Sequence, residues 1–111
     1  MAYDEDLANR LRELIGVEPA VSEKRMFGGL AFLIGGNLAI AASGRGGILV
    51  RTDPAASEGL GAARHVSDFK MRGQPVPGWL RVDGEGVRTT RQLSRWVQVG
   101  MSYARSLPAK R

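Results

Sequence analysis

The side chains that could do chemistry in this sequence are few, and they are mostly arginines. There is one histidine, His65, and no cysteine. Without a second histidine there is no His pair and no H-E-x-x-H helix to hold a metal, and without cysteine there is no thiolate. A nucleophilic triad would need His65 beside one of seven serines, none of which sits in a G-x-S-x-G elbow. His65 therefore reads as a loop residue. The grouped carboxylates Asp4, Glu5 and Asp6, and the pair Asp83 and Glu85, fall where helix caps and turns would need them. No catalytic residue, metal site or cofactor is expected, and the chain reads as a non-enzyme.

What remains is anion chemistry. Arg88, Arg91 and Arg95 fall on the outward side of one helix, where a row of guanidinium groups can track phosphates. No aromatic residue interleaves them, so a stacking platform for single strands is not expected. A solvated arginine face is the plainer reading. Lys24 and Arg25 precede Met26-Phe27-Gly28-Gly29, and adjacent strand residues point to opposite faces, so only one of the two cations joins any one surface. Arg25 could pair with Glu23 or Asp68. It could also line a small-ligand pocket with the Gly28-Gly29 kink and Trp79. Glycine runs complete neither phosphate-loop pattern. Gly44-Arg45-Gly46-Gly47 joins two strands and reads as a hairpin loop, with anion binding by Arg45 the lesser reading.

These residues need elements to place them. Asp4 caps a first helix to about Ile15, with Leu7, Leu11, Leu14 and Ile15 on one face and Gly16 at its end. Arg25–Phe27 enters a strand unit in which Gly35-Gly36 closes a hairpin of the primed turn types between Leu30–Ile34 and Asn37–Ala42. Ile48–Arg51 is a fourth strand. The unbroken apolar run Ala31–Ile34 implies a sheet covered on part of both faces. Asp53-Pro54 starts a short helix to about Ala63. Phe69–Arg72 reads as a strand, Gln74–Gly78 as a rigid loop, and Trp79–Val82 as the last strand. Trp79 is either core or contact surface. Thr89 and Gln92 form a capping box for a final helix from Thr90 to about Leu107, whose stripe is Leu93, Trp96, Val97, Gly100, Met101, Ala104 and Leu107. The order α-β-β-β-β-α-β-β-α argues an α+β fold, a mostly antiparallel sheet with helices packed on it, in a single domain over residues 1–111.

Composition bounds the setting. No apolar run approaches the roughly 20 residues of a membrane span, so no membrane is expected as a partner. The acidic start is unlike a secretory leader, and a chain without cysteine fits a cytoplasmic location. The net charge of +5 is uneven: residues 1–23 hold six acids and two bases, residues 86–111 six bases and no acid.

Arg25, Met26, Phe27, Gly28 and Gly29, followed by Gly36-Asn37 and then Ile48–Asp53, give the chain a family likeness. It resembles the N-terminal domain of the TfoX/Sxy family, bacterial regulators associated with natural competence. The resemblance covers about residues 4–107. It implies an α+β domain with a role in transcription regulation and supplies no catalytic set. Full-length members add a C-terminal helical domain of helix-hairpin-helix character, the more obvious DNA-binding part, which is not seen in this sequence. The expectation is a regulatory module acting through protein–protein contacts, with an unknown protein or a second copy of the chain as partner. Nucleic-acid binding through Arg88, Arg91 and Arg95 is the alternative, and a ligand-binding or enzymatic domain ranks third.

Overall fold

A computed structural model describes residues 3–26 and 28–109. The chain forms helix α1 (Glu5–Ile15), strands β1 (Val21–Met26), β2 (Gly29–Ile34), β3 (Asn37–Ala42) and β4 (Ile48–Arg51), and helix α2 (Pro54–Gly61). Strands β5 (Val66–Met71) and β6 (Gln74–Val82), one 3-10 turn over Gly84–Val87 and helix α3 (Thr90–Ser106) complete it. The strands make one six-stranded sheet in the order β1-β2-β3-β4-β6-β5, antiparallel throughout. This is the expected α+β order.

Local chemistry accounts for the boundaries. The Asp4 carboxylate accepts from the Leu7 N–H at 3.1 Å, and Gly16, at φ 68°, ends α1. Gly35 and Gly36 both have positive φ, 57° and 82°, so the β2–β3 turn is of the primed kind that matches strand twist. Thr89 and Gln92 cap α3 reciprocally, Gln92 N to Thr89 Oγ1 at 3.1 Å and Thr89 N to Gln92 Oε1 at 2.9 Å.

Period-2 alternation sorts the sheet into two apolar faces. On one, Leu30, Phe32, Ile40, Ile48, Val50, Leu80 and Val82 pack under the helices against Leu11, Leu93, Trp96 and Met101. Gly100 lets α3 approach β3 closely: a Cβ there would overlap the Ala39 carbonyl oxygen. On the other face, Ala31, Leu33, Leu38, Ala41 and Leu49 are also buried, packed with Met26, Phe69 and Trp79, although no helix covers them. The sheet covers that face by curling. An irregularity between Phe32 and Leu33 bends the centre of the sheet. A larger one bends the β5–β6 hairpin: between the rungs Asp68–Leu80 and Lys70–Pro75, β5 spends one residue and β6 four.

Gln74–Gly78, expected to be a loop, is the first half of β6. The two prolines are tolerated because β4 pairs only with Trp79–Val82, so this part of β6 has a partner strand, β5, on one side alone. The strand expected at Phe69–Arg72 starts earlier and ends one residue sooner, since Arg72 and Gly73, both at positive φ, are its turn. α2 stops at Gly61, short of Ala63, and Leu107 is the cap of α3, not part of it. Phe27 lies outside the described residues.

Candidate functional site

The register lines up a row across the uncovered face, one residue per strand: Lys24, Ala31, Ala41, Leu49, Arg81 and Ser67. Its centre is small and apolar, and its ends are polar. The bent hairpin then carries Lys70, Met71 and Arg72 over that centre, so that residues of both outermost strands, Met26 of β1 and Asp68–Met71 of β5, line one cavity of about 480 Å³. Ala41, Leu49, Met26 and Phe69 form its floor. Arg45, Lys70, Arg72 and Arg81 surround it; Asp68 also borders it, but its carboxylate lies by Gly61 of α2.

Arg81 is the best-anchored of these cations. Its guanidinium donates to Ser43 Oγ at 3.1 Å and to the Gly46 carbonyl at 3.4 Å, and so braces the β3–β4 loop. Ser43, 9% exposed, also accepts from the Arg45 N–H at 3.1 Å. Gly47 makes that loop possible: at φ 68° it lies so close to Val82 and Asp83 that no Cβ fits. Arg72 takes φ 53° at the first turn position of β5–β6, where Asn or Gly would be less strained.

At the other end of the same face Arg51 lies opposite Trp79 in register. Its guanidinium sits 5.3 Å from the Trp79 ring and 5.6 Å from the Tyr103 ring, and Trp79 packs on Phe69 at 5.8 Å between centroids. Trp79 is thus half-buried under a cation, outside the cavity's lining, and intermediate between the two roles open to it.

The other candidate residues are dispersed. Arg25 is exposed and lines a shallow hollow with Tyr3, Met26, Gly28 and Gly29, apart from the concavity. Its suggested partner Glu23 belongs to Arg12, through a two-pronged pair at 2.8 Å on each arm. That hydrogen bond, with the charge of Arg12, holds the Glu23 carboxyl below its usual range and raises the Arg12 guanidinium above its own. Trp79 is at the far end of the sheet face and does not join Arg25, so the pocket expected from Arg25, Gly28-Gly29 and Trp79 is not formed. Gly28, at φ 73°, and Gly29, whose Cβ would overlap the Ala42 carbonyl, shape the β1–β2 connection. Gly36 completes the hairpin, and Asn37, 4% exposed, donates to the Pro108 carbonyl at 2.9 Å.

Arg88, Arg91 and Arg95 are all exposed, on the helix side of the molecule. Arg88 lies 3.6 Å from Glu85, its carbonyl accepts from Arg10 at 3.1 Å, and Arg95 lies 5.8 Å from the Trp96 ring. His65 sits in the α2–β5 loop at φ 70°, with Nδ1 3.3 Å from Asp83. Among the described residues no group of three or more His, Asp or Glu is arranged to hold a metal. No helix among them is long and apolar enough to cross a membrane.

The concave face was legible only in fragments. Trp79-x-Arg81 and Leu49-x-Arg51 alternate, which places those side chains on one face, but only the kinked hairpin brings Lys70 and Arg72 to it. With this geometry the comparison with known families is decisive: the family model of the TfoX N-terminal domain matches residues 13–104. The chain belongs to the TfoX N-terminal domain family. No curated protein and no solved structure matches it. Gly28, Gly29, Gly36 and Asn37 of the likeness shape the β1–β3 meander and its Ile48–Asp53 stretch supplies β4 with Arg51, whereas the other cations of the concave face come from β5, β6 and the β3–β4 loop.

Proposed function

We propose that this TfoX N-terminal domain is a regulatory module that works by binding a protein partner and not by catalysis. The observation that carries the reading is the bent β5–β6 hairpin. Its outer half projects Met71, 50% exposed, between Lys70 and Arg72 at the mouth of an apolar concavity. An exposed thioether framed by cations suits an apolar, acidic segment of another protein. The polar groups gathered there are mainly guanidinium and ammonium, which hold anions and do not shuttle protons near neutral pH. A heterologous partner fits better than a second copy paired edge to edge, because β1 lines its free edge with exposed Ser22, Glu23, Lys24 and Arg25.

A photo-crosslinking residue at position 71, introduced in cells, is expected to trap a discrete protein that is lost on Lys70→Glu/Arg72→Glu. The same group at position 91 should trap none. The competing reading is nucleic acid on α3, favoured by the exposure of Arg91 and Arg95. Fluorescence anisotropy with a labelled duplex at low and physiological salt separates the two. Salt-sensitive binding that disappears in Arg91→Glu/Arg95→Glu moves the function to the helix.

A further inference from the structure

The floor of the concavity holds a feature that a protein contact at its mouth does not use. Ser43 Oγ accepts two hydrogen bonds, from Arg45 N and Arg81 Nη1, both at 3.1 Å, and its own hydroxyl hydrogen has no acceptor among the described residues. The residue is nine-tenths buried and lines the cavity. A hydroxyl that already accepts twice still has its hydrogen to give, and at the cavity wall it can give it to the oxygen of a ligand or of water. Beside it Arg81 spends two of its five N–H donors on the loop, which holds the fork in place and leaves the remainder for an anion. Next to this polar corner the floor turns apolar at Ala41, Leu49, Met26 and Phe69. The cavity, about 480 Å³, is of the size that takes a small molecule.

We infer that this pocket binds a small amphiphilic anion, a carboxylate or phosphate head on an apolar body. Arg81 and the Ser43 hydroxyl hold the head, and Leu49, Met26 and Phe69 bury the body. The head sits in the corner because only there do donors converge. The body lies under the hairpin because the floor there offers nothing to hydrogen bond. Arg72 and Lys70 add attraction at the mouth, so binding weakens with salt without vanishing. Since Met71 and Arg72 belong both to this wall and to the projecting hairpin, an occupant bears on the surface proposed for the partner. The inference goes beyond that contact and is measured on the chain alone, so trapping no partner at position 71 leaves it standing.

The test is calorimetric titration of the full chain with hexanoate, octanoate, decanoate, decyl phosphate, decan-1-ol and inorganic phosphate, with amide and methyl NMR to locate each. Saturable binding is expected, tightening about fourfold per added methylene until the floor is covered. Decan-1-ol should bind at least about tenfold more weakly than the best anion, as the loss of one charge-assisted contact implies. Arg81→Met, which keeps the apolar stem, should remove most of that preference and leave the alcohol unaffected. Ser43→Ala should weaken the anion several-fold. Should Arg81→Met not fold, Ser43→Ala and the acid-to-alcohol ratio on the native chain carry the test. Tighter binding of decyl phosphate than decanoate assigns the head to the phosphate class, and the reverse to the carboxylates. The proposal is overturned if no anion binds saturably, if the alcohol binds as well as the acids, if inorganic phosphate binds as tightly as decyl phosphate, or if the shifts map to α3.

Discussion

Gly100→Ala and Gly59→Ala place the same change in two helices and should move stability in opposite directions. In an open helix, alanine is favoured over glycine by about 1 kcal/mol, because glycine loses more backbone freedom on folding. Gly59, within α2, has nothing within 4 Å of the place a methyl would take and no positive φ, so Gly59→Ala should stabilise by about 0.5–1 kcal/mol. Gly100 faces β3. A methyl there would stand 3.0 Å from the Ala39 carbonyl carbon, closer still to its oxygen, and 3.2 Å from Val50 Cγ2. The carbonyl belongs to a buried strand and cannot swing aside, so α3 must lift by about 1 Å. Such a gap forfeits roughly a quarter to a half of each contact's attraction. The loss is spread over Leu93, Trp96, Val97, Met101 and Ala104, the residues that α3 buries. Set against overpacking costs of about 1–3 kcal/mol or more, the propensity gain is outweighed, for a net loss of about 2 kcal/mol. At roughly 4 °C per kcal/mol for a chain of this size, the melting temperature should fall by about 8 °C, while Gly59→Ala raises it by about 2–4 °C. Urea unfolding followed by far-UV circular dichroism measures both. Gly100→Ala as stable as the native chain would refute the close α3–β3 contact and the account of why glycine stands there.

The same logic separates the paired motif glycines. Gly28→Ala should cost about 1–2 kcal/mol, the strain of an L-residue at positive φ in open space, whereas Gly29→Ala, which drives a methyl into the Ala42 carbonyl, should cost about 3 kcal/mol or more. Equal losses in urea titrations would contradict that division. Asn37→Ala removes the donor to the Pro108 carbonyl and should cost about 1 kcal/mol, with faster amide exchange at Leu107 and Ala109 as the local readout. The Arg12–Glu23 pair gives a pH signature. Because the folded state holds the Glu23 carboxyl below its unfolded value, the stabilisation is present above the unfolded pKa, about 4.3, and fades as the pH falls through the lower folded one. Native chain and Glu23→Gln should therefore differ at pH 7, converge below about pH 4, and differ less in molar salt. A difference that persists at pH 3 would assign the effect to packing.

Most of the architecture was legible because local signals agreed with the tertiary outcome. Asp4, Gly16, Gly35-Gly36, Asp53-Pro54 and the Thr89–Gln92 box each end or begin an element where their backbone chemistry requires it. The unbroken apolar run of β2 announced a sheet buried on both sides. The failure at Gln74–Gly78 has a clear physical source. Prolines are excluded from central strands but tolerated at an edge, and which strand is an edge is set by topology, not by local sequence. The candidate site suffered more, because it depends on a hairpin bend produced by four residues of β6 opposing one of β5. Ser43, Lys70, Arg72 and Arg81 come from three segments that no spacing rule connects.

That division bears on what membership of the family conveys. Of the residues by which the chain is recognisable, Gly28, Gly29, Gly36 and Asn37 are accounted for by backbone: one glycine at positive φ, one pressed against a carbonyl, one in a primed turn, and an amide that ties down Pro108. They specify how three strands connect. Met26, and Leu49 and Arg51 from the Ile48–Asp53 stretch of the likeness, reach the concave face. Lys70 and Arg72 lie on another segment, are exposed, and could be exchanged without disturbing the meander, whereas Arg81 also braces the β3–β4 loop. The motif glycines therefore shape the β1–β2 and β2–β3 connections, while the surface's chemistry is set by the cations of β4, β5, β6 and the β3–β4 loop. If so, Lys70→Gln/Arg72→Gln should weaken anion binding and leave the circular dichroism spectrum unchanged. Glycine-to-alanine changes at 28 and 29 should do the reverse, lowering stability while the chain that remains folded still binds.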